Sequence, residues 1–377
     1  MNVIKVLHVT NVEKENYYLA NLVEYSDASA VEFLFITFGP DDCEFVTDFR
    51  RREINAMGID AGGRSTYPRS YRQLRSIFAE QKPDIVHTHL FDPSLIGLTA
   101  ARRSRIKTVL TRHHSDGVHA IPSLAKRRFY LGLESYISRN ADHIIAPSRT
   151  VREFLVDREG VPDHKVSIIP YGQTTERFDA VTPDKVAKIR DELQMDRGPA
   201  LVCVSRLYHR KGHKFLFEAL AELAANGRDA YLYLVGDGDE CDELHRLANE
   251  LAIADRIAFL SWRDDALVIM AAADMIVHPS LEDALSSAVI EAVMLAKPIV
   301  ATDISGVRDT LDDGKYGVIV EPESAEALRV GIAETLDDIE SAKRRTAAGR
   351  EYLLDYMDAK RTADATLEIY RSVLAQT

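Results

Sequence analysis

Short apolar runs rich in β-forming residues alternate with longer amphipathic stretches along this chain, and the alternation occurs twice in series. The first series comprises IKVLHVT, EFLFITF, DIVHTHL, TVLTR, HIIAPS and VSIIP, and the second comprises ALVCVS, AYLYLVG, RIAFLS, MIVHPS, PIVATD and GVIVE. Runs that are apolar throughout are typical of parallel strands, because helices cover both faces of such a sheet. The pattern predicts an α/β protein with two doubly wound, Rossmann-like domains that face a cleft.

The domain boundaries follow from the places where this alternation stops. A polar segment containing Thr182-Pro183 and Arg197-Gly198-Pro199 separates the two series, so we expect domains at residues 1–178 and 199–354, joined by a linker at 179–198. Residues 355–377 have helical periodicity and form a third, terminal segment. At 377 residues and 46% hydrophobic content, the chain is large enough for two conventional cores.

Charge is distributed unevenly over a net value of −12. Residues 1–170 hold 23 Lys and Arg against 21 Asp and Glu, whereas the remainder holds 24 against 38. Positive charge in the first part clusters at residues 50–52, 102–107 and 126–128, which are either solvated helix faces or a surface for anionic lipid or a phosphorylated acceptor. No nucleic-acid partner is predicted.

Three scattered cysteines and the lack of a long apolar run predict a cytoplasmic protein, which could lie peripherally at the inner membrane surface.

The stretch from Pro279 to Arg308 carries the strongest functional signal. It places Asp283 in a loop and Glu291 eight residues later, near the start of an apolar helix. The first turn of a helix has unpaired backbone N–H groups and a partial positive charge, which suit a phosphate. Carboxylates beside it can accept hydrogen bonds from sugar hydroxyls, so the combination predicts a site for a sugar nucleotide.

Two further features follow strands of the second series, at the sheet edge where ligands of such domains bind. Arg206 and Lys211, in SRLYHRKGH, could neutralise a diphosphate or form ion pairs with the many acids of this region. Gly236, in the sequence GDG, permits either close backbone approach to a ligand or merely a tight turn.

These segments together resemble the family 4 retaining glycosyltransferases of the GT-B fold. The similar blocks occur in the same order over nearly the whole chain: ADHIIAPSRTVREFL, VSIIPYGQTTERF, SRLYHRKGH, LVGDGDE, IAFLSWRDD, AAADMIVHPSLEDALSSAVIEA, KPIVATDISGVRD and GVIVEPESAEAL. The resemblance implies a C-terminal helix, at 355–377, that crosses back onto the first domain.

The resemblance also implies roles for individual residues. Arg206 and Lys211 match the basic pair that holds the donor diphosphate and stabilises the leaving nucleotide. Asp283 and Glu291 match two glutamates that contact the transferred sugar and the nucleotide ribose. Backbone groups of Ser287, Ala288 and Val289 meet the phosphates, and Gly236 lies at the donor site. His113 matches a histidine near the transferred sugar, with His114 as a competitor, and Gly172 matches a glycine of a loop at the cleft.

The function implied is transfer of a hexose-type sugar, with retention, from a nucleoside diphosphate sugar to a hydroxyl acceptor in glycan, polysaccharide or glycolipid synthesis. UDP sugars are favoured as donors and GDP-mannose comes next. No cofactor or metal is expected, because cationic side chains and the helix dipole stabilise the leaving group. His87 and His89 are not predicted to share a metal, since we expect them to point to opposite sides of their strand.

Three departures from the family pattern bear on these expectations. The first glutamate is the shorter Asp283, and the loop after the first strand, NVEKENYYLANLV, has no glycine where the family usually has a glycine-rich turn. Ser261 replaces a common glycine and is followed by Trp262, which either stacks on the nucleotide base or packs in the protein.

The first two departures leave open a catalytically impaired GT-B partner subunit that binds nucleotide or glycan without transfer. A hydrolase and a sugar nucleotide epimerase are further alternatives.

Overall fold

The computed structural model describes residues 3–59, 61, 63–113, 123–283 and 285–376. These residues divide into two compact units. Unit 1 contains the described residues of Met1–Gln173 and Met357–Thr377, and unit 2 is Thr174–Tyr356. The chain therefore leaves the first unit once and returns to it at its end.

Unit 1 is a parallel seven-stranded sheet with helices between its strands. Its elements are β1 (Ile4–Thr10), α1 (Tyr17–Glu24), β2 (Val31–Thr37), α2 (Glu44–Arg51), β3 (Asn55–Gly58), α3 (Tyr67–Gln81), β4 (Ile85–His89), α4 (Phe91–Arg103), β5 (Lys107–Thr111), α5 (Leu124–Asn140), β6 (His143–Ala146), α6 (Arg149–Glu153), β7 (Val166–Ile168) and, from the end of the chain, α16 (Ala359–Ala375). The strand order is β3-β2-β1-β4-β5-β6-β7. The order reverses at β1, so β1 and β4 are neighbours and the loops after them diverge to opposite sides.

The two faces of this sheet are buried separately, as a parallel sheet requires. On one face Phe35, Phe45 and Phe49 form an aromatic core under α1 and α2. The terminal helix α16 joins that same face through Leu367, Tyr370 and other apolar residues. Each fully buried aromatic or leucine side chain contributes about 1.5–3 kcal/mol, so α16 is a structural part of unit 1 and not an appendage.

Unit 2 is a parallel six-stranded sheet of the same kind. Its elements are α7 (Glu176–Asp179), α8 (Pro183–Glu192), β8 (Ala200–Val204), α9 (His213–Ala225), β9 (Tyr231–Val235), α10 (Cys241–Glu250), β10 (Ile257–Phe259), α11 (Ala266–Ala272), β11 (Met275–His278), α12 (Ser287–Met294), β12 (Ile299–Thr302), α13 (Val307–Thr310), β13 (Val318–Val320), α14 (Ala325–Asp337) and α15 (Ile339–Tyr356). The strand order is β10-β9-β8-β11-β12-β13. Here the order reverses at β8, next to β11.

All twelve apolar runs of the sequence are strands, and the α/β class with two Rossmann-like sheets is confirmed. Strand β3 was missed because its residues, NAMG, include neither a β-branched nor an aromatic residue. The return of the final helix to the first unit is also found. Within the described residues, no helix combines the length and apolar character needed to cross a membrane.

The segment 179–198, expected to be a linker, is instead folded into unit 2. Helix α8 begins after Thr182, whose side chain accepts a hydrogen bond from the Lys185 amide, and it has a proline in its first turn. Arg190 on this helix donates to the Ala272 carbonyl at the end of α11. The Thr-Pro pair that resembled a linker signal is therefore a helix start.

Candidate active site

The loops that follow β8, β9 and β11 lie against one another at the carboxyl end of the unit 2 sheet. Gly212 has φ +66°, and a Cβ atom there would lie 2.0 Å from the Pro279 carbonyl oxygen. Gly236 has φ +140°, and a Cβ atom would lie 1.9 Å from the Ser205 carbonyl oxygen. Only glycine fits such conformations and contacts, so these two residues allow the loops to approach closely. Gly236 thus permits close contact between two loops, and its approach to a ligand stays a prediction.

This approach brings Lys211 onto Asp283. The lysine Nζ lies 2.7 Å from Asp283 Oδ2, and both side chains are largely buried, with 14% and 25% of their areas exposed. His278, at the end of β11, places its Nε2 3.9 Å from the same carboxylate oxygen. Burial lowers the pKa of His278 to about 4, even though Asp283 acts to raise it. At neutral pH the cluster is therefore one ion pair beside an uncharged imidazole.

Helix α12 begins immediately after this cluster. Ser286 is the N-cap, and the amides of Ser287, Ala288 and Val289 belong to the first turn, where N–H groups have no carbonyl partner within the helix. The helix dipole adds a partial positive charge at that end. Donors, dipole and Lys211 therefore provide the elements of a phosphate-binding site.

Glu291, on α12, forms an ion pair with Arg177. Arg177 Nη1 lies 2.9 Å from Glu291 Oε1, and the glutamate side chain is only 15% exposed. Burial raises the pKa of Glu291, and the guanidinium partly offsets this by favouring the charged form. The Arg177 guanidinium also lies over the Phe178 ring, 4.6 Å from its centroid. The residue expected to bind ribose thus has a cationic side chain from the segment before α8 beside it.

Arg206 and Trp262 are more exposed than these groups. Arg206 donates to the Tyr208 hydroxyl at 3.3 Å, and its guanidinium lies 5.9 Å from that ring's centroid. The Trp262 indole is 58% exposed and donates to Asp264 at 3.2 Å, so it is not part of a core. Ser261 before it has φ +55°, a conformation that favours glycine. Both side chains are accessible to a ligand.

In unit 1, His113 and Gly172 lie in loops after strands of the larger sheet. His113 Nε2 is 3.1 Å from His89 Nδ1, and its Nδ1 is 2.5 Å from the Tyr171 hydroxyl. The Gly172 carbonyl accepts from the Asn21 side chain at 3.0 Å, and a Cβ atom on Gly172 would lie 2.8 Å from Ala359 Cα. His114, the competitor of His113, lies outside the described residues.

A bulky aromatic residue follows the glycine-free loop after β1, in the first turn of α1. Tyr18, at the start of α1, packs on Tyr171 with ring centroids 4.8 Å apart and approaches His113 edge-on at 6.4 Å. Burial raises the pKa of Tyr18 to about 12, so the phenol is neutral at physiological pH. The aromatic side chain is thus built into the surroundings of His113.

The expectation that His87 and His89 point to opposite sides of their strand is wrong. Residues two apart on a strand lie on the same face, and these two rings stack with centroids 4.5 Å apart. His8, on the neighbouring strand β1, stacks on His89 and is tilted against His87. The three imidazoles therefore form one buried cluster, whose role is considered below.

Comparison with known proteins relates this architecture to a family. Residues 16–177 match the model described as Glycosyltransferase Family 4, and residues 185–352 match the one described as Glycosyl transferases group 1. A GDP-mannose-dependent alpha-(1-6)-phosphatidylinositol monomannoside mannosyltransferase of Mycolicibacterium smegmatis is 30% identical over 274 residues, covering 70% of this chain and 69% of the relative. This chain belongs to glycosyltransferase family 4.

Further similarities agree with that assignment. The 2-deoxystreptamine glucosyltransferase of Streptomyces kanamyceticus is 26% identical over 304 residues, 78% of each protein. The crystal structure of HepE from Anabaena in complex with UDP-glucose superposes with a TM-score of 0.81 at 20% identity, covering 98% of this chain and all of that one. The GT-B fold is therefore shown, and the protein is a glycosyltransferase that transfers a sugar from a nucleotide sugar.

Two residues that contact members of the candidate site were not anticipated from sequence. Arg177 lies 114 positions before its partner Glu291, and His278 was considered only as part of a strand. The local sequence around Arg177, TERF, does not indicate that this arginine pairs with Glu291. For His278, its position at the very end of a strand is a usable signal, because strand ends of such sheets face the ligand.

Proposed function

We propose that this glycosyltransferase moves a hexose-type sugar from a UDP sugar to a hydroxyl acceptor with retention of configuration, with GDP-mannose as the second donor to test. The observation that carries the proposal is the contact of Lys211 with Asp283 at the start of α12. A cation for the diphosphate and a carboxylate for sugar hydroxyls are adjacent, as transfer from a sugar nucleotide needs. HepE binds UDP-glucose and the mycobacterial relative depends on GDP-mannose, so both bases belong in the test.

The phosphate-binding roles go to Lys211, Arg206 and the first turn of α12. When a nucleoside diphosphate departs, negative charge develops on the oxygen that it takes with it. Cations and amides already oriented toward that oxygen stabilise it at about 3–4 kcal/mol per donor in a dry site. In this state Lys211 is neutralised by Asp283, so donor binding exchanges the carboxylate partner of the lysine for a phosphate oxygen. Asp283 then accepts from a hydroxyl of the sugar.

The remaining donor contacts are assigned around this centre. Glu291 accepts from the ribose hydroxyls, Trp262 stacks on the base, and Gly236 allows the loop after β9 to approach the donor. In unit 1, His113 and Gly172 act on the side of the sugar and acceptor. The acceptor hydroxyl attacks the anomeric carbon on the face that the nucleotide leaves. The bond from this carbon to the diphosphate oxygen breaks, the departing diphosphate accepts the hydroxyl proton, and no side chain forms a covalent intermediate.

Leaving-group stabilisation by Lys211, Arg206 and α12 makes a divalent metal unnecessary in this mechanism. Transfer should therefore persist in EDTA at the rate seen without it. Loss of activity in EDTA with recovery on addition of Mn²⁺ would contradict metal-independent transfer while leaving the nucleotide-binding roles intact.

The donor proposal is tested by thermal unfolding with UDP, GDP and ADP sugars, using wild type, Lys211→Ala and Lys214→Ala. Lys214 is a matched control because it lies on α9, is 65% exposed and approaches Glu218 rather than Asp283. A ligand at 100 times its Kd adds about 2.7 kcal/mol of stability. Stabilisation by one nucleotide class, kept in Lys214→Ala and lost in Lys211→Ala, would support the proposed site and identify the base.

Product analysis separates the alternatives left by the sequence. A transferase hydrolyses its donor slowly without acceptor, and a retaining one first releases the sugar in its original anomeric form. An epimerase would return a changed sugar nucleotide. Nucleotide-dependent stabilisation with neither hydrolysis nor transfer to a panel of acceptors would favour a partner subunit without catalysis, the alternative that the glycine-free loop and Asp283 leave open.

For the acceptor, we propose a hydroxyl presented at an anionic membrane surface. Helix α5 exposes Leu124 and Phe129 by 65% and 63%, and the cations Lys126 and Arg128 are exposed among them. Apolar side chains beside lysine and arginine suit insertion between anionic headgroups. Two relatives, the mycobacterial enzyme and an Escherichia coli galactosyltransferase, have names that specify lipid-linked substrates.

Vesicle sedimentation tests this acceptor-side proposal. The wild type should bind vesicles containing anionic lipid and not neutral ones, and Phe129→Ser should bind more weakly. Leu374→Ser, an exposed apolar residue on α16, is the control. Equal binding to both vesicle types would contradict the membrane contact and leave soluble phosphorylated acceptors as the class to screen.

A further inference from the structure

Four histidines and three hydroxyl side chains of unit 1 form one continuous hydrogen-bonded chain from the core to His113. The contacts, in order, are Thr111 Oγ1 to His87 Nε2 (2.8 Å), His87 Nδ1 to the Tyr370 hydroxyl (2.7 Å), that hydroxyl to His8 Nε2 (3.3 Å), His8 Nδ1 to His89 Nε2 (2.9 Å), His89 Nδ1 to His113 Nε2 (3.1 Å) and His113 Nδ1 to the Tyr171 hydroxyl (2.5 Å). Each ring thus uses both nitrogens within the chain.

The three inner rings are neutral. His8, His87 and His89 are at most 1% exposed, and burial lowers the pKa of each well below 6.5. A neutral imidazole has one N–H donor and one nitrogen that accepts. In every contact between two ring nitrogens, one nitrogen therefore carries the proton and the other accepts the hydrogen bond. The donor direction of one ring determines that of the next.

Tyr370 determines the direction of the inner part of this chain. Its hydroxyl has one proton and lies between two ring nitrogens. If the hydroxyl oxygen accepted from both rings, its own buried proton would have no acceptor in the chain, which is unfavourable. O–H donors make shorter contacts than N–H donors. The 2.7 Å contact therefore assigns the hydroxyl as donor to His87 Nδ1, and the 3.3 Å contact assigns His8 Nε2–H as donor to the tyrosine oxygen.

The same direction continues to the outer end. With His8 Nδ1 as acceptor, His89 Nε2–H donates to it, and His113 Nε2–H donates to His89 Nδ1. His113 Nδ1 then accepts from the Tyr171 hydroxyl, and the 2.5 Å length of that contact is typical of an O–H donor. The bond lengths at both tyrosines are thus consistent with one direction, in which all four rings carry their proton on Nε2.

We propose that Tyr370, His8 and His89 are positioning residues that hold His113 in its Nε2–H tautomer, through a chain that begins on the C-terminal helix. The side chain that lines the proposed reaction centre is then oriented by a helix 257 residues further along the sequence. The expected effect of this chain on sugar transfer rests on the role proposed above for His113. The tautomers themselves are independent of that role.

A metal site is the competing use of these rings. One nitrogen from each of His8, His87 and His89 lies within 4.8 Å of the others. Zinc would need nitrogens about 2.0 Å from one ion and would take lone pairs that the contacts above already use. Each ring nitrogen has a partner at 2.7–3.3 Å with complementary donor or acceptor character, so hydrogen bonding accounts for the cluster.

The test is long-range ¹H–¹⁵N spectroscopy of the full chain labelled at histidine, near pH 7, with single His→Gln variants for assignment. We expect Nε2–H tautomers for the four rings in wild type. In Tyr370→Phe, the resonances of His8, His89 and His113 should shift toward a mixture of tautomers. Tyr352→Phe, which removes a hydroxyl that donates to the Asp309 carbonyl in unit 2, should leave them unchanged.

Tyr171→Phe provides the second variant should Tyr370→Phe fail to fold. It removes only the outermost donor, so His113 should keep its proton on Nε2 while its Nδ1 resonance moves. In transfer assays Tyr370→Phe should lower kcat about tenfold with less than a twofold change in KM for the donor, since one orienting hydrogen bond is lost.

Several results would overturn the inference. These are an Nδ1–H or doubly protonated ring among the four in wild type, unchanged spectra in Tyr370→Phe, or a stoichiometric metal in the purified protein. If instead the tautomers are as described and His113→Ala retains full transfer, the role proposed for His113 fails and the hydrogen-bonded chain stands.

Discussion

The ammonium of Lys211 lies 2.7 Å from the carboxylate of Asp283, although 72 residues separate them. The contact exists because the loops after β8 and β11 meet where Gly212 lies against Pro279. Leu281 and Arg210 add a backbone hydrogen bond of 2.8 Å between the same two loops. The cation proposed for the diphosphate and the carboxylate proposed for the sugar are thus held together by the backbone.

Asp283→Asn should lower kcat/KM for transfer by about 10²–10³, because the variant keeps the side-chain shape but loses the charged acceptor proposed for the sugar hydroxyl. Glu282→Gln, a change of the adjacent carboxylate, should have little effect and serves as control. Asp283→Glu tests the departure from the family residue: it should retain activity and change the ratio of rates between donor sugars. Full activity in Asp283→Asn would remove this residue from the proposed mechanism.

Arg177→Met should destabilise unit 2 by about 3 kcal/mol near pH 8, because it leaves the buried Glu291 carboxylate unpaired. The folded-state pKa of Glu291 is raised above its usual 4.5, and loss of the arginine should raise it further. A raised carboxyl pKa favours the folded state at low pH, and this stability is lost as the pH rises above 4.5. The defect should therefore be small near pH 4.5 and grow with pH.

Urea unfolding of Arg177→Met followed by circular dichroism between pH 4.5 and 8 measures this difference. Arg197→Met is the control, since Arg197 also lies over an aromatic ring, that of Tyr231, at 4.5 Å. Adding Glu291→Gln to Arg177→Met should restore much of the stability at pH 8. A defect independent of pH would mean that packing, and not the ion pair, is what Arg177 contributes.

Gly236→Ala should cost about 3 kcal/mol or more, since its Cβ would overlap the Ser205 carbonyl and the residue has a positive φ. Gly227→Ala separates the two causes, because Gly227 also has a positive φ, +74°, but open space around its Cβ position. It should cost only about 1 kcal/mol. Equal losses in thermal unfolding would show that backbone conformation alone accounts for the effect.

Stability should fall in mild acid because of buried neutral histidines. His8, His87 and His89 in unit 1 have pKa values lowered by burial, and His213 and His278 in unit 2 have values near 4. In the unfolded chain these imidazoles bind protons near pH 6.5, whereas in the folded protein they stay neutral to lower pH. Each therefore lowers the free energy of unfolding by about 1.4 kcal/mol per pH unit between 6.5 and its folded-state pKa.

Denaturant unfolding at pH 7.5 and 5.5 checks this prediction, with an expected loss of about 4 kcal/mol from the three histidines of unit 1 alone. Replacing His87 by Gln should reduce the pH dependence by about one third of that amount. His245→Gln, on α10, is the control position. Stability that stays flat between these pH values would mean that the buried rings are protonated in the folded protein.

The order of strands and helices could be predicted because the inner strands of both sheets are buried on both faces and are therefore largely apolar. Strand β3 shows the limit, since its NAMG sequence pairs with β2 through backbone bonds that need no apolar side chain. Segment 179–198 shows another, because a Thr-Pro pair precedes both linkers and helices. Packing against α11 distinguishes the two, and packing is not local.

By itself, the sequence determined the fold class, the two sheets, the family and the residue types of the donor site, because these depend on local patterns and spacings. Only the tertiary structure decided which of those residues are partners. Lys211 with Asp283, Arg177 with Glu291, and His8 with His89 are brought together by strand order and by loops in contact. The histidine chain needs β1, β4 and β5 side by side and α16 returned to the first unit. Hydrogen bonds and ion pairs act over about 3 Å in space, irrespective of separation along the chain.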